Sequence, residues 1–160
     1  PQGNDDWKQS VIHPISYSLT PSFKGLSDLV KKDRSDASEI FWQTALKREI
    51  DHLAGLTAVD GATIVTDEYE LLAFGAKTGR ANSSEHIHQI SYTEPINNAE
   101  AVVVHPAKIG GTRHLSAAQF VFDQRSALAL VASQDGHFTV FSWSKSLNMV
   151  QAQRIDALLL

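Results

Sequence analysis

Gly110-Gly111-Thr112-Arg113-His114 joins an apolar segment to a helix-like run and packs the parts of a phosphate site into one short turn. Two glycines let a backbone approach a ligand closely, because they carry no Cβ. Thr112 is expected to cap the run Thr112 to Gln124, since a threonine oxygen accepts from the first orphan N–H groups of a helix. Those N–H groups and the helix dipole suit an anion. Arg113 adds a forked cation matched to phosphate oxygens. The alternative is an ordinary loop-to-helix turn carrying a surface arginine.

Working outward, Leu115, Ala118 and Phe122 recur at helical spacing after the motif. The run Ala127 to Ala132 then reads as a strand, Ser133-Gln134-Asp135-Gly136 as a turn, and His137 to Trp143 as a last strand. Upstream, Ala101-Val102-Val103-Val104 is a continuous apolar run, which predicts a strand buried on both faces. The stretch Gly75 to Glu100 is rich in turn formers, with an alternating strand candidate at Ile87 to Tyr92. Earlier still, Thr63-Ile64-Val65 and Leu71-Leu72-Ala73-Phe74 flank a short turn at Asp67 and Glu68, the pattern of a β-hairpin. Asp60-Gly61-Ala62 stands at the mouth of its first strand. A carboxylate near a phosphate-binding turn is what a divalent metal needs, because Mg²⁺ takes one or two carboxylates plus phosphate oxygens. Plain turn chemistry is the other reading of an Asp-Gly pair.

Asp36 lies three residues before Glu39, as in a capping box. Ile40, Phe41, Ala45, Leu46, Ile50 and Leu53 populate one side of a helix that Gly55 is expected to close. Residues 1–35 mix proline, serine and charge and read as an N-terminal arm, with a short helix near Leu26 to Val30. The domain proper is therefore expected to span residues 36–160. The fold class is α/β in the broad sense (α+β), a mixed β-sheet flanked by helices.

Taken in order, Asp60-Gly61-Ala62 and Gly111-Thr112-Arg113-His114 resemble the paired motifs of the diadenylate cyclase family. The resemblance covers roughly Phe41 to Phe141 and includes the helix, the strand Ala127 to Ala132 and the turn at Ser133. It implies an adenine-nucleotide-binding domain that condenses two ATP into the second messenger cyclic di-AMP across a dimer. By resemblance, Asp60 serves Mg²⁺ or Mn²⁺ and the attacking 3′-hydroxyl, and Arg113 and His114 take part in catalysis. Gly61, Ala62, Gly111, Thr112, Arg113, His114 and Ser133 are the implied nucleotide contacts. The chain departs from the family pattern at Leu115, where a second arginine is usual, and at Gln134, where an acidic residue is usual. Both departures bear on turnover more than on binding. They open the second reading, a sensor domain that binds a nucleotide or cyclic dinucleotide without turning it over.

The 160 residues, 42% hydrophobic and 20% charged, suffice for one compact core. No apolar run reaches the ~20 residues of a membrane span. The formal charge of −4 argues against nucleic-acid binding through a broad basic surface. Without cysteine, disulfides and thiolate metal sites are excluded, and a cytoplasmic setting is expected. The chain starts at Pro1 with no signal-peptide pattern, as a segment of a longer protein would. His86 and His88 share a strand face at metal-ligand spacing, but a third ligand is not evident, so a solvated strand is the expectation. Trp42, Phe141 and Trp143 are expected in cores or interfaces. No serine sits in a Gly-x-Ser-x-Gly elbow, which leaves a hydrolase triad without support.

Overall fold

The structure, a computed structural model, describes residues 5–32, 39–96, 99–133 and 136–156. Asp36, Gln134 and Asp135 lie outside the described residues. The fold is α+β, as the element pattern predicts, with helices flanking two sheets. The chain divides into two compact units: Ile12–Lys77 forms one, and Pro1–Val11 with Thr78–Leu160 forms the other.

In the Ile12–Lys77 unit, β1 (Tyr17–Phe23), β2 (Ala62–Val65) and β3 (Leu71–Ala76) form an antiparallel sheet in the order β1-β3-β2. The predicted hairpin is present. Thr66 closes it, its N–H donating to Glu70 O at 2.9 Å and its Oγ1 accepting from Glu70 N at 3.0 Å. β1 lies in the stretch read as an arm and carries Pro21, which an edge strand tolerates because one side of its backbone needs no ladder bond. α1 (Gly25–Lys31) is the short helix expected near Leu26. α2 (Glu39–Leu56) packs against α1 but holds no buried residue. Gly55 does not close α2, which runs on through Leu56 before Thr57 N–H turns back to Ala54 O. Ser22 Oγ donates to Glu70 at 2.7 Å, Lys24 pairs with Glu70 at 3.3 Å, and Lys31 pairs with Glu68.

In the other unit, β4 (Ile90–Thr93), β5 (Val102–Val104), β6 (Leu128–Ala132), β7 (His137–Ser144) and β8 (Met149–Asp156) form a mixed sheet in the order β5-β4-β8-β7-β6. β4 runs parallel to β8, and the other pairs are antiparallel. α3 (Thr112–Asp123) packs on one face of it. Ala117, Ala118 and Val121 meet Ile90, Val131, Phe141, Val150 and Ala152 in one apolar core. The small side chains of Ala117 and Ala118 let the helix backbone come close to the sheet. Phe122 and Trp143 pack edge to face at its margin, where the Arg125 guanidinium lies 4.1 Å over the Trp143 ring.

Three expectations change here. Gly111, not Thr112, is the N-cap of α3, and Thr112 is the first helical residue. The valine run is not buried on both faces: β5 is an edge strand, with Val102 and Val103 50% and 57% exposed. The strand expected from Ile87 starts instead at Ile90, because the preceding segment is tied to α3 rather than to a ladder. Gln119 Oε1 accepts from Ile87 N at 2.9 Å, and Asp123 Oδ2 accepts from Ala81 N at 2.8 Å. Gln119 Nε2 completes the set by donating to Glu85 O and to Asp123 Oδ1. This leaves Ile87 buried and turns His86 and His88 outward, both exposed.

The ends of each unit are hydrogen-bonded to themselves. Ile12 N–H donates to Lys77 O at 2.7 Å within the one. Within the other, Val11 bridges Thr78 and Gly79 N–H donates to Ser10 O at 3.0 Å. The short 3₁₀ helix Asp5–Ser10 is anchored there by buried Trp7 and by Gln124 Nε2, which donates to Asp6 O and Ser10 Oγ.

Candidate functional site

The turn before α3 is built from both sides. A 3₁₀ helix, Pro106–Lys108, leads into it, capped by His105 Nδ1 accepting from Ala107 N at 3.2 Å. Then Ile109, Gly110 and Gly111 deliver the chain to the helix, whose first turn closes with His114 and Leu115 N–H groups both donating to Gly111 O. The N-cap glycine has no side chain to satisfy the earlier N–H groups, so Thr112 and Arg113 present theirs at an exposed helix start.

The two glycines have different reasons to be glycine. A Cβ at Gly110 would stand 2.6 Å from His114 Cε1 and closer still to Nδ1, so the ring of His114 occupies the space a side chain would need. A Cβ on Gly111 would meet nothing within 4 Å, and its φ of −79° is open to any residue. No neighbour and no backbone conformation demands a glycine at 111.

His114 itself is only 7% exposed. Its ring stands edge-on to Phe141, with centroids 6.1 Å apart, and Nε2 lies 3.4 Å from Thr139 Oγ1. Helical spacing explains the burial, since His114, Ala117, Ala118 and Val121 fall at i, i+3, i+4 and i+7 on the sheet-facing stripe. Arg113 and Leu115, on either side of it, point away. Arg113 is exposed, and Leu115 stays 36% exposed, outside the apolar core.

Ser133 closes the β6–β7 turn. Its N–H and its Oγ both donate to His137 O at 2.9 Å, and its own carbonyl accepts from Gly136 N at 3.1 Å. Thr139, which touches His114, pairs with Val131 two residues before Ser133. The start of α3 and the Ser133 turn therefore lie at the same end of the sheet. Thr112, Arg113, His114 and Ser133 are thus gathered within one unit. The family-divergent position Gln134 falls in the undescribed part of that turn.

Asp60, Gly61 and Ala62 belong to the Ile12–Lys77 unit. Gly61 takes φ +130°, and a Cβ there would meet Gly75 O at 2.7 Å, so the hairpin strands approach through two glycine backbones. Ala62 pairs with Ala76 as β2 begins. The Asp60 carboxylate is 86% exposed and pairs with Lys77. It supplies one hard oxygen donor, the share of a Mg²⁺ shell that protein often gives when phosphates supply the rest. Among the described residues no group of three or more His, Asp or Glu side chains could hold a metal by itself.

Sequence reasoning missed Thr139, and it read Gly110 as a glycine open to a ligand rather than as one that makes room for the ring of His114. Gly110 carried a signal, its place in a double glycine, but the partner that requires it became visible only with the ring of His114 in place. Thr139 carried none, because its contact crosses from strand to helix. Compared with known proteins, the chain matches no family model, no curated protein and no solved structure. Among the described residues no helix is long and apolar enough to cross a membrane.

Proposed function

We propose that this chain binds an adenine nucleotide at the turn before α3, as a domain of diadenylate cyclase type that joins two ATP into cyclic di-AMP. The observation that carries the reading is Gly111: a glycine that nothing among the described residues requires, at the exposed start of a helix, followed by an exposed arginine. Triphosphate oxygens would take the Thr112 and Arg113 N–H groups and the Arg113 guanidinium. Ser133 stands at the same end of the sheet and would add a hydroxyl contact. The family resemblance assigns Mg²⁺ or Mn²⁺ to Asp60, an ion that would lower the pKa of a 3′-hydroxyl. In the reaction each 3′-oxygen bonds to the α-phosphorus of the other ATP, pyrophosphate leaves, and the hydroxyl proton passes to solvent. Catalysis of this kind rests on positioning and charge neutralisation. Self-association follows from the chemistry, because one bound ATP supplies half of the ring.

The exposed apolar side chain of Leu115 favours a second reading, a sensor that binds without turnover, because the family's second phosphate-facing cation is missing there. Incubation with ATP and Mn²⁺ or Mg²⁺, followed by chromatography for cyclic di-AMP, separates the two. Calorimetric titration with ATP tests what they share. Arg113→Ala is expected to weaken ATP binding by ~1.5–3 kcal/mol, the worth of a charge-assisted contact. An unchanged affinity removes Arg113 from the site.

A further inference from the structure

We infer that His114 is a positioning residue whose ring sets the Gly110-Gly111 turn and does not touch the nucleotide. The inference rests on the nucleotide reading above and refines how that site is held. Among the ring's contacts are Gly110 beneath it, the Phe141 ring edge-on at 6.1 Å, and Thr139 Oγ1 at 3.4 Å from Nε2. Phe141 is fully buried in the sheet core, and Thr139 is buried beside it on β7. The imidazole therefore bridges the rigid part of the sheet to a turn made of two glycines, the least restrained backbone a chain can have.

Burial argues against direct phosphate contact. The ring is 7% exposed, whereas Gly111, Thr112 and Arg113 beside it are exposed, so it lies behind the N–H groups that face solvent. What it contributes is order: with the ring seated against Gly110, the turn has fewer conformations to give up when an anion binds the N–H groups that follow. Preorganisation of this kind raises affinity without a contact.

Replacing the ring separates position from contact. ATP with Mg²⁺ is titrated into the full chain and into His114→Ala, His114→Phe and Gly110→Ala, and amide hydrogen exchange is followed at residues 111–113. Phenylalanine fills the same space and cannot donate to phosphate. His114→Phe is expected to keep ATP affinity within about threefold of wild type, and His114→Ala and Gly110→Ala to lose about tenfold. Exchange at 111–113 should rise in His114→Ala and stay near wild type in His114→Phe.

Loss of binding in His114→Phe equal to that in His114→Ala, with both proteins folded, overturns the inference in favour of a direct contact. Unchanged exchange in His114→Ala overturns it whether or not ATP binds. Failure of the wild-type chain to bind ATP is a different result: it removes the nucleotide reading, and the positioning role falls with it.

Discussion

α3 and α2 are both amphipathic by sequence, yet α3 buries five of its twelve residues and the longer α2 buries none. The difference is in the small residues. Ala117 and Ala118 bring α3 against a sheet whose facing positions, Phe141, Val150 and Ala152, are fully buried. α2 leads its apolar side with Ile40 and Phe41, the latter 76% exposed, and packs chiefly against the short α1. An apolar stripe is therefore a capacity for burial, realised only where a complementary surface exists. The Ile12–Lys77 unit buries Leu26, Leu71, Ala73 and Ala76 and adds polar ties from Ser22, Lys24 and Lys31 to Glu68 and Glu70.

If this contrast is right, the same truncation should have opposite outcomes in the two regions. Phe141→Ala is expected to cost ~3–5 kcal/mol, and Phe41→Ala no more than about 0.5 kcal/mol, by denaturant unfolding. Equal losses would mean that α2 is packed in solution against something that buries its face. Backbone geometry gives the Ile12–Lys77 unit its own sensitive point. Gly61→Ala is expected to cost about 1–3 kcal/mol, because φ +130° is strained for alanine and the added carbon meets Gly75. Retained stability there would show that the two strands can part without penalty.

Acid should distinguish the units more gently. The Ser22 hydroxyl bond holds the Glu70 carboxyl below its ordinary value, with burial opposing and Lys24 adding to it. A carboxylate with a depressed folded pKa stabilises above its unfolded pKa, and the contribution is lost as pH falls through the folded value. The melting temperature of Glu70→Gln should therefore lie below wild type at pH 7 and converge on it toward pH 3. A gap that persists in acid would assign the loss to shape rather than charge. The smallest effect belongs to Leu115→Arg. With Leu115 outside the core, the melting temperature should hold, and any cyclic di-AMP formation should rise as a phosphate contact is restored. A fall in stability of more than about 1 kcal/mol would place Leu115 in packing that the half-exposed side chain does not suggest.

What was legible in the sequence was local. The hairpin around Thr66, the helix after Gly111, the short helix at Leu26 and the β6–β7 pair all announce themselves by periodicity and turn residues. β8 did not, although it is the middle strand of its sheet. Gln151 and Gln153 alternate with Val150 and Ala152, and only pairing with both β4 and β7 makes that polar segment a core strand. The valines of β5 misled in the other direction, since apolarity cannot tell a central strand from an edge. Of the site, the arginine and the glycines were readable as types. Which glycine serves the protein and which stands open was not, because the answer depends on a ring four residues away.

The hydrogen bond from Ile12 to Lys77 has a consequence for chain architecture. A unit whose first and last residues are already joined is an insertion in the topological sense: its host need not stretch to accommodate it. Closing the gap adds almost no loop entropy, so excision of residues 12–77 with Val11 linked to Thr78 by a tight turn leaves the ladder of the host untouched. By the same geometry the excised segment is a natural substrate for cyclisation or for grafting, as a cassette, between the strands of another scaffold.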